Sequence, residues 1–117
     1  MEQHVSTYFA AWNERDAPER RRLLASSLTP DAELLDPRGR WVGLDAISDR
    51  IALYHGDAPD TRVVRSGGLD AHNDVVRYGW TIVDDDGHEL LEGVDVAERE
   101  RDGRLRRVLM FHGPLPE

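Results

Sequence analysis

The run LLEGVDVAERERDGRLRRVLMFHG, residues 90 to 113, reads as two strands joined at Asp102-Gly103, a dipeptide that accepts the left-handed backbone of a tight hairpin turn. Closing the hairpin there sets Ala97 opposite Val108, Asp95 opposite Met110 and Gly93 opposite His112. If the preceding loop turns at Asp86-Gly87, Tyr78 lies opposite Asp95 and Trp80 opposite Gly93. Side chains alternate between the faces of a sheet, so one face carries Tyr78, Trp80, Leu91, Gly93, Asp95, Ala97, Val108, Met110 and His112. A carboxylate in that apolar set must be protonated, paired or at work. Glycine and alanine beside large rings leave volume unfilled, and a mostly apolar hollow with a few polar groups is the form a small-molecule site takes. The same residues also allow a sealed core in which Asp95 hydrogen-bonds Tyr78 or His112. The opposite face presents Val94, Val96, Leu105, Leu109 and Phe111. A sheet that is apolar on both sides needs a second cover, which predicts a homodimer through this outer face.

Period-two patterning extends back to Thr61, giving strands near 62 to 70, 74 to 83, 88 to 99 and 104 to 112. Upstream the period becomes helical. Val5, Tyr8, Phe9 and Trp12 form one stripe, so Tyr8 and Trp12 point the same way. Asp16-Ala-Pro-Glu19 looks like a capping box opening a second helix that buries Leu23, Leu24 and Leu28 and ends at Thr29-Pro30-Asp31. Ala32 to Asp36 reads as a strand stopped by Pro37, and Arg38-Gly39-Arg40 turns the chain toward Trp41 and Val42. A third helix starts at Gly43-Leu44-Asp45 with Asp45 as N-cap, aligns Ile47, Ile51 and Tyr54, and ends at Gly56 in a left-handed role. Helices followed by antiparallel strands make an α+β pattern with one sheet face on the helices.

The length of 117 residues suits one domain, 1–117, with a single core. A net charge of −8 argues against nucleic acid, which needs a concentrated basic surface. The one dense basic cluster, Glu19-Arg20-Arg21-Arg22, reads as the solvated face of a helix. Every basic residue is arginine, so Schiff-base chemistry and a P-loop are excluded for want of a lysine. Without cysteine there is no disulfide, thiolate nucleophile or cysteine metal site. The start MEQHVSTYFAAW has neither a basic n-region nor a long apolar run, so no signal peptide or membrane span is expected and a cytoplasmic location is the default. His72 falls at a turn tip, and His55 near a helix end, where the dipole suffices to explain it. Asp84-Asp85-Asp86-Gly87 lacks the alternating ligands of a calcium loop and reads as a turn. His4 and His88 have no partner at ligand spacing, so no metal and no cofactor is expected.

Tyr8-Phe-Ala-Ala-Trp-Asn-Glu-Arg-Asp16, Thr29-Pro-Asp-Ala-Glu-Leu-Leu-Asp36-Pro37, Gly43-Leu-Asp-Ala-Ile47, Glu92-Gly-Val-Asp95 and Arg107-Val-Leu-Met-Phe-His-Gly113 occur in this order along nearly the whole chain. In that order and spacing the chain resembles the nuclear transport factor 2-like superfamily, especially its SnoaL-like branch. The resemblance implies a cone-shaped α+β barrel, in which a curved, mostly antiparallel sheet wraps the N-terminal helices and a pocket opens at one end. The chain is further similar to ketosteroid isomerases at three positions. Their oxyanion-hole tyrosine matches Tyr8, their catalytic base, an aspartate before proline, matches Asp36, and their protonated aspartate matches Asp95. By that resemblance Asp36 is the base, and Tyr8 and Asp95 hold the developing oxyanion. Ile51 stands where the isomerases place a supporting tyrosine. The Tyr8 to Asp36 segment is a few residues longer than theirs, and His112 replaces an apolar residue, so a smaller or more polar ligand than a steroid is expected.

Three functions fit these residues. One is an isomerase or polyketide-cyclase type enzyme acting on a small hydrophobic or carbonyl-containing molecule, with Asp36 or an Asp95–His112 pair as acid and base. Another is a non-catalytic binding protein with the same pocket, lined by Trp12, Trp41, Tyr54, Tyr78, Trp80, Met110 and His112. The third is an epoxide-hydrolase-like enzyme, which needs an arginine between two inward acids; Arg77 falls on the wrong sheet face for that.

Overall fold

The computed structural model describes residues 2–116 and runs α1 (Glu2–Asn13), α2 (Ala17–Ser27), β1 (Leu28–Asp36), β2 (Gly39–Val42), α3 (Leu44–Asp57), β3 (Thr61–His72), β4 (Val75–Asp84), β5 (Glu89–Arg99) and β6 (Leu105–His112). The strands form one sheet in the order β2-β1-β6-β5-β4-β3, with β1 and β6 parallel and the other neighbours antiparallel. The α+β class and mostly antiparallel sheet are as the sequence implies. The sheet is curved but leaves β2 and β3 as open edges, which corrects the expectation of a barrel. A closed barrel would need those two edges to pair.

Extra residues bend the ladder. Gly67 and Gly68 are inserted in β3 between the pairs Ser66–Gly79 and Leu69–Tyr78. Leu90 is inserted in β5, and Arg106 in β6, where Glu98 faces Arg107 but Arg99 faces Leu105. Each bulge bends its strand and increases local twist. Gly67 takes φ +70°, a conformation that favours glycine.

The registers beyond these bulges are those read from the turns. Tyr78 pairs with Asp95, Trp80 with Gly93, Asp95 with Met110 and Gly93 with His112. The β5–β6 loop itself is longer than the two residues expected. Glu100 N–H bonds the Arg104 carbonyl around a three-residue loop closed by Gly103 at φ +93°. The Arg106 bulge absorbs the difference, so the pairing holds at Asp95, but it moves Leu105 to the inner face, where it is fully buried. Leu105 therefore does not belong to the outer apolar face. That face keeps Val94 and Phe111, exposed at 41% and 59%, beside the half-buried Val96 and Leu109.

Other local expectations shift for identifiable reasons. The first strand starts at Leu28, not Ala32, so Thr29-Pro30-Asp31 belongs to β1 and Leu28 is buried from the strand. Asp16 does cap α2, its Oδ2 accepting the Glu19 N–H at 3.2 Å, while the Glu19 side chain turns to Arg22. The N-cap of α3 is Gly43 at φ +90°; Asp45 lies inside the helix and pairs with Arg21 at 2.7 Å. Gly56 does not end α3, which runs on to Asp57 and stops when the Ala58 N–H returns to the Tyr54 carbonyl.

The helices pack on the concave face. Val5, Tyr8, Leu24, Ile47 and Ile51 meet Leu34, Val76, Ala97 and Val108 in one core. Arg20 corrects the reading of its cluster as wholly solvated. It is 4% exposed, donates from Nε to Ser48 Oγ at 3.0 Å and from Nη1 to the Glu14 carbonyl at 2.9 Å, and so ties α2 to α3 and to the end of α1. Asn13 docks α1 on β3 by exchanging two 2.7 Å bonds with the Val63 backbone. His55 lies in the last turn of α3, as expected, and its Nε2 also bonds the Trp12 carbonyl near the end of α1 at 2.7 Å. No helix among the described residues is long and apolar enough to cross a membrane.

Candidate active site

Asp95 reaches the concave face because alternation along β5 puts it between Gly93 and Ala97, under α1. It is 2% exposed, and Trp80 Nε1–H donates to its Oδ1 at 2.9 Å. Gly93 makes that bond possible. A Cβ there would lie 2.2 Å from Trp80 Cζ2 and 2.2 Å from the Phe111 carbonyl oxygen, so the indole lies flat against a bare backbone. The space beside glycine is thus filled by Trp80 and is not the cavity. The hollow lies between the sheet and α1 and α3.

That pocket has a volume of about 170 Å³. Tyr8, Phe9 and Trp12 of α1, Arg50, Tyr54 and Asp57 of α3, and Trp80, Asp95, Met110 and His112 of the sheet line it, with Arg38, Val63, Ile82 and Leu91 completing the wall. Arg38 and Asp57 form a largely exposed ion pair at 2.8 Å. His112 sits edge-on to Trp80, ring centroids 5.5 Å apart, and Tyr54 donates to Thr61 Oγ1 at 2.7 Å because that hydroxyl's proton goes to the Ala58 carbonyl.

Burial pushes the Asp95 carboxyl up from the ordinary value near 3.8 to about 7, with the Trp80 N–H and the nearby Tyr78 hydroxyl opposing the rise. Both protonation states are then accessible near neutrality. Burial first, and the Asp95 charge second, push the Tyr8 and Tyr78 hydroxyls well above the tyrosine range, so both stay protonated donors. Neither hydroxyl has a hydrogen-bond partner in bonding geometry. Burial lowers His112, keeping it neutral at pH 7.

The sequence model for a SnoaL-like domain matches residues 5–108. The chain belongs to the SnoaL-like family. A candidate isomerase of that family from Agrobacterium tumefaciens str. C58 is 31% identical, with 97% of this chain and 100% of that one covered at a TM-score of 0.88. A candidate polyketide cyclase from Sinorhizobium meliloti shares the fold at 19% identity, with coverage of 93% and 94% and a TM-score of 0.71. So does a nuclear transport factor 2-like protein from Exiguobacterium sp. 255-15, at 16% identity, coverage of 96% and 99% and a TM-score of 0.75. No curated protein gives a significant match.

In this SnoaL-like chain, Tyr8, Trp12, Tyr54, Trp80, Asp95, Met110 and His112 come together on one cavity. Three others stand back from it. Tyr78 is sealed beneath, edge-on to Phe9 with ring centroids 5.4 Å apart. Trp41 does not line the pocket but covers the Arg50 guanidinium from 5.3 Å, while Trp12 lies 5.7 Å from the same group. Asp36, assigned as base by resemblance, has a fully buried side chain whose Oδ2 accepts Arg50 Nε–H and whose Oδ1 accepts the Arg38 N–H, each at 2.8 Å. With both oxygens occupied and a guanidinium between it and the cavity, Asp36 is placed to hold Arg50 and not to take a proton from a ligand.

Arg50 is the residue that sequence reasoning missed. It is 7% exposed, lines the pocket and keeps an Nη1 with no hydrogen-bond partner. Its signal was present. Ile47, Arg50, Ile51 and Tyr54 share one helical face, and a charge on an apolar stripe marks a buried charge that needs a partner. Arg77, considered for a hydrolase, lies outside and pairs with Asp70 at 2.9 Å; the inward arginine is Arg50. His88 also has neighbours that were not anticipated, since Asp84, Asp86 and His88 bring ligand-type atoms within 4.8 Å of one another. Asp84 Oδ1 there accepts the Asp86 and His88 N–H groups at 2.9 Å, so the turn's own bonds account for the arrangement.

Proposed function

We propose that this protein is a cofactor-independent enzyme of isomerase or cyclase type that moves a proton beside the carbonyl of a small, mostly apolar molecule. The observation that carries this reading is Asp95, a carboxyl buried on the wall of an apolar pocket with a pKa raised to about 7. A group with a pKa near ambient pH both takes and returns a proton efficiently. In the proposed sequence, the Asp95 carboxylate removes the proton α to the carbonyl, the electron pair of that C–H bond forms a C=C bond, and the carbonyl π pair moves to the oxygen. The Tyr8 hydroxyl donates a hydrogen bond to the resulting enolate, and Asp95 returns the proton to a carbon of the same molecule. Tyr8 suits this role because its hydroxyl is protonated and lacks a partner. Trp80 orients Asp95, while Trp12, Tyr54, Met110 and His112 shape the cavity. A cytoplasmic location and a homodimer through the Val94 and Phe111 face belong to the same proposal; sedimentation at micromolar concentration that gives a monomer mass would remove the dimer.

The test uses 2-naphthol as an enolate mimic and 2-tetralone as an exchangeable ketone. Wild type should bind 2-naphthol and accelerate exchange of the α-hydrogens of 2-tetralone in D₂O, followed by NMR. Asp95→Asn should abolish the acceleration, and Tyr8→Phe should weaken naphthol binding. Binding without exchange would support the alternative, a non-catalytic binding protein with the same pocket. A hydrolase needs an arginine bridging two acids, and the acid bonded to Arg50 is Asp36.

A further inference from the structure

Arg50 is an expensive residue to bury, and its surroundings use only part of it. Nε is committed to Asp36, and the indoles of Trp12 and Trp41 flank the guanidinium. Nη1 is buried with no acceptor, and Arg50 is one of the residues that line the cavity. Leaving a charged donor unsatisfied out of water is costly unless something else completes it. An arginine held by an acid at one nitrogen, with its plane set by aromatic rings, presents its remaining donors in a fixed orientation suited to a planar anion.

The charge around the cavity narrows the choice. Arg50 is balanced by Asp36 and Arg38 by Asp57, so the paired charges cancel. His112 adds no positive charge at neutral pH. Asp95 on the same wall adds a negative charge when it is ionised, so the site admits one further negative charge more readily than two, which favours a carboxylate over a phosphate dianion. The remaining lining, including Phe9, Val63, Ile82 and Met110, suits a hydrocarbon body.

We infer that Arg50 forms a carboxylate subsite in this pocket, so that the ligand is a small aryl or alicyclic keto acid bound by its carboxylate at Arg50 and by its carbonyl at Tyr8, with its α carbon toward Asp95. The carbonyl half rests on the function proposed above, whereas the carboxylate half stands on Arg50 alone.

The experiment compares 2-naphthoate, 2-naphthamide and 2-naphthol by isothermal titration at fixed pH and ionic strength. The naphthoate and naphthamide differ mainly in charge. Wild type should prefer naphthoate over naphthamide by about 10- to 100-fold, the range expected for a hydrogen-bonded charge. Because removal of Arg50 alone strands the buried Asp36, the variant is the double substitution Asp36→Asn with Arg50→Met, its fold checked by circular dichroism. It should lose the preference for naphthoate and retain its naphthol affinity. Equal binding of acid and amide by wild type, or a preference that survives in the double variant, overturns the subsite. A naphthoate preference that depends on Arg50, found together with no binding of naphthol, supports the subsite and removes the oxyanion reading.

Discussion

Replacing Asp95 by asparagine should make the protein more stable at pH 8, and its stability less dependent on pH. The native carboxyl is 2% exposed, and burial raises it from near 3.8 to about 7. Between those values the folded chain holds a proton that the unfolded chain has released. Stability from this group is therefore fully present below the unfolded value and is lost as pH rises through the folded one. At about 1.4 kcal/mol for each tenfold change in proton affinity, the swing is about 4 kcal/mol between roughly pH 4 and pH 8. Asparagine has nearly the same shape, and its carbonyl oxygen can still accept the Trp80 N–H, so packing changes little while the linkage disappears. Urea unfolding followed by tryptophan fluorescence, with wild type and variant measured across that pH range, isolates the effect because other titrating groups cancel in the difference. The gap should widen in favour of the variant as pH rises. A gap that stays constant with pH, together with an Asp95 carboxyl titrating near 4 by NMR, would falsify the claim that this carboxyl is buried without charge compensation, and the proposed acid–base role would fall with it.

Other substitutions probe the remaining parts of the site. Arg50→Met alone should destabilise by about 3–5 kcal/mol, because it leaves the Asp36 carboxylate buried without its partner, whereas adding Asp36→Asn should recover much of that loss; chemical denaturation of both variants measures the difference. Tyr8→Phe should leave the thermal midpoint nearly unchanged, since the hydroxyl it removes has no partner, while weakening 2-naphthol binding; a large stability loss would point to a bond not seen in the fold. Gly93→Ala drives a methyl carbon into the Trp80 indole and the Phe111 carbonyl, so loss of the folded dispersion in NMR spectra, or a Trp80 ring displaced from Asp95, is the expected result. Asn13→Ala removes two 2.7 Å bonds between α1 and β3 and should cost about 1–3 kcal/mol in urea unfolding, with faster amide exchange at Val63.

Much of the site was legible because a strand has a simple period. Once Asp102-Gly103 and Asp86-Gly87 marked the turns, alternation placed Asp95 inward with Tyr78 and Met110 opposite, and those pairings are present in the sheet. The helical stripe of α1 likewise aimed Tyr8 and Trp12 into the same cavity. The reading lost track where an extra residue changes the period. The Arg106 bulge turned Leu105 inward, and nothing in Arg104-Leu-Arg-Arg107 marks which residue is left unpaired. Gly93 in sequence implies empty space, yet whether a glycine leaves a hole or admits a ring depends on the rotamer of a side chain on the next strand.

Local periodicity and turn chemistry are enough to set the order of helices and strands, the inward direction of Asp95 and the aromatic residues beside it on the sheet. The bond of Asp36 to Arg50, the donation of Trp80 to Asp95 and the position of the cavity under α1 and α3 and not beside Gly93 arise from packing across the fold. Those outcomes depend on side chains from elements distant in the chain meeting at distances near 3 Å. A pattern confined to one strand or one helix does not contain the curvature that brings such groups together.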